Sequence, residues 1–337
     1  MKKVYLFAAL AAGMSFASCN NDENVDMVDN NSTLMVENVG LQSLSSRAGI
    51  TATEFTSGES LSVYIYEGAV GTYGDYNDGQ ALPATNVKYT QGTQWTAQQP
   101  IVVSTKMGVV YACYPWAEGN TDPSKIAVNV AENQGTGQSN GIKDVAEQTD
   151  YMWATPVDNV SNKDAKIDLV MNHALAMVSF KFKQSDDNTL TYPGVGKVTS
   201  IKLYNDAGRN IIQAGAATMN IADGKITGAA VSANGITVSP ASETLMDVTD
   251  ESLLPRMLVY PNIQWAGGDL KCTITVDGND YTMNVPVLQA GGGYVAGNNY
   301  CYTLTMKGTQ LVIENVSINE WIDIDAGAGE IQTPDNV

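Results

Sequence analysis

The chain holds one histidine, His173, in "NHALAMVSF", and that single imidazole narrows the available chemistry at once. Neither a zinc site of several histidines nor an HExxH motif can be built from it. A lone histidine at the head of an apolar strand reads as structural, because a catalytic imidazole needs a nucleophile and an orienting partner. No GxSxG elbow occurs, and "YPGVGKVTS" lacks the spacing of a phosphate-binding loop. The 36 Asp and Glu residues leave a glycosidase-type carboxylate pair open, since such a pair is assembled by the fold. "DGNDY" and "DIDAG" offer oxygen ligands for calcium, although solvated turns are the simpler reading. The residues point to no catalytic site, no metal and no cofactor. One residue remains out of place: Arg47 in "SLSSRAGI", the only Lys or Arg between Lys3 and Lys88 in a chain with three arginines.

The elements that would position such residues are strands. The chain has 337 residues with 16% charged, and Gly, Thr, Ser, Asn, Val and Tyr are plentiful, the balance of an all-β protein with many turns. A formal charge of −18 excludes nucleic acid as a partner, for no basic stripe exists to neutralise phosphates. It also argues against electrostatic docking on anionic lipid.

The first 19 residues, "MKKVYLFAALAAGMSFASC", have a basic start, an apolar run too short to span a bilayer, and small residues before Cys19. We read them as an export signal of lipoprotein type, with Cys19 the lipidated residue, followed by an acidic tether from residue 20. Cys113, Cys272 and Cys301 lie in strand-like runs and read as small buried hydrophobes, with a Cys272–Cys301 bridge left open.

Period two dominates from Ser60 onward. "SLSVYIYEG" alternates Leu61, Val63 and Ile65 against Ser62, Tyr64 and Tyr66, and Val178, Phe180 and Phe182 face away from Lys181 and Lys183. "TVDGNDY" signals a tight hairpin, since Asp-Gly accepts positive φ at low cost. The polar stretch "QSDDNTLTYPGVG" at 184–196 breaks the pattern and marks a domain boundary, giving a β-sandwich in residues 48–185 and another in 186–337. No tandem repeat is evident. Within the acidic segment 20–47, "STLMVENVGLQS" has strand character through Leu34, Val36, Val39 and Leu41, which a passive tether would not need. Near the C-terminus, Val316, Ile318, Ile322 and Ile324 share one parity.

Three stretches carry a resemblance. "GNNYCYTLTMKGTQLVIENVSINEW" at 297–321 and "QTDYMWATPVDNVSNKDAKIDLVMNHALAMVSFKF" at 148–182 resemble elements of the Bacteroidales fimbrillin family, the type V pilins, and "VVYACYPW" resembles a third, looser element. The resemblance implies two tandem transthyretin-like β-sandwiches, exported as an outer-membrane lipoprotein precursor and ending in cell-surface fimbriae. It implies a pro-segment at 20–47 whose strand is removed by an Arg-specific surface protease cutting between Arg47 and Ala48. It further implies a donor strand from the C-terminus that fills the emptied groove of another subunit; Val316, Ile318, Ile322 and Ile324 are the candidates, and the strand's place before or after Trp321 is left open. Partners on this view are other fimbrial subunits, in a homopolymer or as tip, stalk and anchor, with a host or bacterial surface ligand beyond them. The competing reading is a surface lipoprotein that binds glycan through Trp95, Trp116, Trp153 and Trp265, without catalysis in either case.

Overall fold

The computed structural model describes residues 32–42, 55–76, 84–135, 144–145, 148–240, 246–249, 254–262, 265–288 and 293–321. Cys19, Arg47, Ala48, Ile322 and Ile324, and the "DIDAG" turn, lie outside the described residues. Among the described residues the chain is all-β: 25 strands form six sheets, and the only helical piece is a 3-10 turn at Asn188–Leu190. No described helix is long and apolar enough to cross a membrane.

The largest sheet has nine strands. Its order is β2 (Met35–Leu41), β14 (Lys166–His173), β12 (Met152–Ala154), β8 (Gly108–Tyr114), β3 (Ser60–Glu67), β5 (Val87–Gln91) and β6 (Trp95–Ala97), with β13 (Val157–Val160) on β8 and β4 (Gly74–Asp75) on β3. Every pairing is antiparallel except β2 with β14, which is parallel. The edge strands β2 and β6 approach one another, so the sheet curls around its own interior. β1 (Ser32–Thr33), just before β2, pairs with β7 (Val102–Val103).

Two further sheets each have four strands. One runs β21 (Arg256–Val259), β15 (Ala176–Gln184), β24 (Asn298–Lys307), β25 (Gln310–Glu320); the other runs β20 (Ile236–Val238), β16 (Val198–Asn205), β22 (Leu270–Val276), β23 (Asn279–Asn284). A fourth group centres on β17 (Gln213–Met219), which pairs with β18 (Ile226–Thr227), β19 (Ala230–Val231) and β9 (Ile126–Val130). β10 (Asp144–Val145) and β11 (Gln148–Thr149) form a small hairpin. Backbone pairing of β9 with β17 and of β15 with β24 links residues on either side of 185/186.

Alternation along the strands divides the apolar residues between two cores. Leu61, Val63 and Ile65 face one core with Val36, Leu169 and Met171, inside the curl of the large sheet. Tyr64, Tyr66 and Tyr111 face the other, where Phe180, Ile274 and Tyr302 lie. Both faces of β3 are therefore buried, even at Ser62. The tyrosines achieve this by reaching polar partners from an apolar setting: Tyr64 Oη donates to the Asn120 carbonyl at 2.6 Å.

The hairpin at β22–β23 turns on Asp277 and Gly278, both at positive φ, as a two-residue loop requires. The Asp277 side chain is not a solvated turn carboxylate. It accepts from Gly196 N at 2.9 Å, Lys197 N at 2.8 Å and Tyr192 Oη at 2.8 Å, tying the 192–197 loop to the hairpin. The backbone N–H of Gly196, with that of Lys197 and the Tyr192 hydroxyl, holds this carboxyl below its ordinary range. A depressed folded value gives stability that is present above the unfolded carboxylate range and lost as pH falls through the folded value. An Asp277→Asn protein should therefore unfold at lower denaturant than the parent at neutral pH, and the gap should close on acidification. Urea titrations from pH 7 down to pH 3 check this; a gap independent of pH would mean that the ionised carboxylate contributes nothing.

Candidate functional site

The site begins with an oddity of phase. In "LMVENVGL", Leu34 and Val36 are two apart, but Val39 and Leu41 lie on the other parity, so no regular strand can turn all four to one face. The structure solves this with one extra residue: Val36 stands opposite Ile167 and Asn38 opposite Asp168, leaving Glu37 as a bulge. Leu34, Val36 and Val39 then all point into the first core and are buried, Leu41 is half-buried against the same core, and Met35 is 48% exposed.

The bulge is pinned from the neighbouring strand. Lys166 Nζ lies 2.7 Å from Glu37 Oε1, and Asn38 Nδ2 donates to Asp168 Oδ1 at 2.8 Å. The Glu37 carboxylate raises the Lys166 ammonium above its ordinary range. An exposed pair of this kind adds little stability, but it fixes which residue loops out. The strand's ends are also fastened: Leu34 N donates to the Ile101 carbonyl at 2.8 Å, Tyr89 Oη to the Leu34 carbonyl at 3.1 Å, and Gln42 N to the Met171 carbonyl at 2.7 Å. Residues 34–41 thus occupy a groove between β14 and the 101–103 segment, completing the first core from one edge.

Of the C-terminal candidates, Val316 and Ile318 sit on β25, the edge strand of its sheet, and Ile322 and Ile324 lie outside the described residues. Val316 is partly buried against the second core, while Ile318 is 47% exposed. Beside this strand lies a groove of about 530 Å³ whose walls include Val287, Leu288, Ile313, Val316 and Ile318. β25 is followed directly by Trp321, which is buried and stacked on His173 with ring centroids 4.0 Å apart and planes 5° from parallel. His173 Nδ1 is 2.7 Å from Asp150 Oδ2, both side chains being buried. The lone histidine is thus a packing element joining β14 to the end of β25.

The other sequence candidates separate. Trp95 is buried in the first core and Trp265 in the second, Trp153 is partly buried against the second, and Trp116 packs under Lys88 Nζ at 4.5 Å. No exposed platform of four tryptophans exists. Cys113 and Cys272 are buried free thiols, each pushed up to about 12 by burial. Cys301 is in no disulfide; its neighbours Tyr300 and Tyr302 face the second core, so its side chain leaves the sheet on the opposite face from the one that packs towards Cys272. Among the described residues, no group of three or more His, Cys, Asp or Glu is placed to hold a metal ion.

Deleting the buried Leu34 side chain should cost the full chain about 2–5 kcal/mol, the range for a core leucine. Met35→Ala, one residue along and exposed, should stay within about 0.5 kcal/mol. Guanidinium unfolding of both variants checks the placement of β2; equal effects would refute it.

Comparison with known proteins bears on this geometry. The chain matches the fimbrillin-like family over residues 46–321. No curated protein matches. Among solved structures, a candidate cell adhesion protein from Bacteroides uniformis shares 22% identity at a TM-score of 0.58, covering 87% of this chain and 100% of its own. One from Bacteroides ovatus aligns at the same TM-score with 14% identity, covering 87% of this chain and 100% of its own. A fimbrial protein from Bacteroides vulgatus aligns at a TM-score of 0.51 with 14% identity, covering 86% and 99% of the two chains. These likenesses establish a shared fold, and the match over most of the length places this chain in the fimbrillin-like family.

Proposed function

We propose that this protein is a non-catalytic structural subunit of a cell-surface fimbria, exported as a lipoprotein through Cys19 and assembled by strand exchange. Residues 48–185 carry the groove and residues 186–337 the donor strand. The observation that carries this reading is the seating of 34–41: a segment N-terminal to Arg47 fills an edge groove with three buried apolar side chains. The family match opens at residue 46, leaving that strand outside it.

The energetics suit a removable strand. Burying Leu34, Val36 and Val39 contributes roughly 1.5–3 kcal/mol each. Ordering eight residues costs about 1–2 kcal/mol apiece. Ladder hydrogen bonds and covalent attachment supply the difference, since a tethered strand sees its groove at an effective concentration of roughly millimolar. Cutting at Arg47 removes the tether and leaves affinity alone to hold the strand. An emptied groove exposes apolar pockets and unpaired backbone groups, which a second subunit's strand covers. Each subunit then gives one strand and receives one, so the assembly is an open head-to-tail filament.

Of the other two arginines, Arg256 is the poorer substrate. Arg256 lies within β21, and Arg209 Nε is 2.9 Å from Asp269 Oδ1. Cleavage needs a chain that can straighten into a protease, which paired strands resist. Placement of Val316 and Ile318 on an edge strand supports a C-terminal donor continuing towards Ile322 and Ile324. The tip, stalk or anchor role and any surface ligand follow from the partners in the filament.

The test is the N-terminal sequence and intact mass of protein sheared from cells, beside an Arg47→Ala strain. A surface form beginning at Ala48, running as an SDS-resistant ladder that the mutant loses, is the expected result. Retention of a lipidated Cys19 and a monomer in both strains would sink the proposal.

A further inference from the structure

The removable strand has a counterpart elsewhere in the chain. Residues 34–41 read LMVENVGL and residues 311–318 read LVIENVSI. Leu34, Glu37, Asn38 and Val39 recur as Leu311, Glu314, Asn315 and Val316, and the other four positions keep their character: Met35 and Val312, Val36 and Ile313, Gly40 and Ser317, Leu41 and Ile318. The likeness extends to conformation. On β25, Thr303 stands opposite Asn315 and Leu304 opposite Ile313, so Glu314 is the extra residue of a bulge, as Glu37 is on β2. Each bulged glutamate meets a lysine from the neighbouring strand, Glu37 with Lys166 at 2.7 Å and Glu314 with Lys307 at 2.6 Å. Lys307 holds the Glu314 carboxyl below its ordinary range.

Shared ancestry of two equivalent strands would predict the same pairing direction, and the directions differ. β2 runs parallel to β14, whereas β25 runs antiparallel to β24. What the two segments have in common is the face they present: apolar residues at the first, third, sixth and eighth positions, brought into line by a bulge at the fourth. Leu34, Val36 and Val39 bury that face in the first core. On β25 the same face is used less completely: Leu311 is buried in the second core, Ile313 and Val316 are partly buried against it, and Ile318 is largely open beside the groove. Among the described residues, no strand pairs with the outer edge of β25.

We infer that residues 311–318 are a built-in copy of the plug formed by 34–41, and that the groove between β14 and the 101–103 segment, once vacated, receives this segment from a second copy of the chain. Leu311, Ile313, Val316 and Ile318 take the pockets of Leu34, Val36, Val39 and Leu41, and Glu314 takes the bulge facing Lys166. This rests on the strand-exchange reading and moves the centre of the donor from 316–324 to 311–318. The groove therefore reads a spacing, two residues and then three, that a regular strand cannot supply.

The experiment uses full-length protein cut at Arg47 by an Arg-specific protease, with a labelled peptide spanning residues 310–320. The peptide should bind one per chain and suppress the SDS-resistant ladder. The same peptide lacking Glu314 should bind about tenfold more weakly or worse, because a one-residue slip turns apolar side chains out of their pockets. A Val316→Asp peptide should also fail. If a peptide of residues 321–337 binds and blocks the ladder while 310–320 does neither, strand exchange stands and this assignment falls. If the cut protein keeps residues 32–42 and forms no ladder, both fall together.

Discussion

The arrangement depends on a single edge contact, the parallel pairing of β2 with β14 and the three apolar side chains it sinks into the first core. A parallel edge strand is an unusual way to complete a sheet that is otherwise antiparallel, since parallel partners need a long connection. Here the connection is everything from Leu41 to Lys166. The strand is therefore not folded by a local hairpin. Its place is set by strands far from it in sequence.

The remaining architecture can be understood as support for that surface. The large sheet curls so that β2 and β6 approach, which makes a closed interior from a sheet with two open edges. Its outer face is covered by tyrosines whose hydroxyls find backbone and side-chain partners, so it forms part of the second core. β14, the strand that β2 lies against, turns Ile167, Leu169 and Met171 into the first core, where they meet the buried side chains of β2. A rigid groove can distinguish a correctly phased strand from one slipped by a residue, because the pockets cannot follow the error.

The stack of Trp321 on His173, with Asp150 behind it, has a related role. It anchors the C-terminal end of β25 to β14, the strand against which β2 lies. The place where the plug is held and the place where β25 ends are thus joined through one strand. A histidine that could have suggested catalysis is instead a flat, buried surface for an indole.

Much of this was legible in the sequence. Strand periodicity from Ser60 onward, the Asp277–Gly278 turn, the facing of Val178, Phe180 and Phe182, and the structural character of His173 all follow from local chemistry and are what the fold shows. The apolar residues at 34, 36, 39 and 41 marked a strand inside an acidic segment, because a solvated tether has no use for them. Sequence alone could not say that four tryptophans would scatter, since core or surface depends on which sheets meet. Nor could it say that Asp277 would be captured by the 192–197 loop, some 80 residues away along the chain. The echo of 34–41 in 311–318 was present as letters, but a period-two reading puts its residues on both faces. Only the tertiary structure, by looping out Glu37 and Glu314 against Lys166 and Lys307, brings each set onto one face, because an extra residue exists only relative to the register of the strand it pairs with.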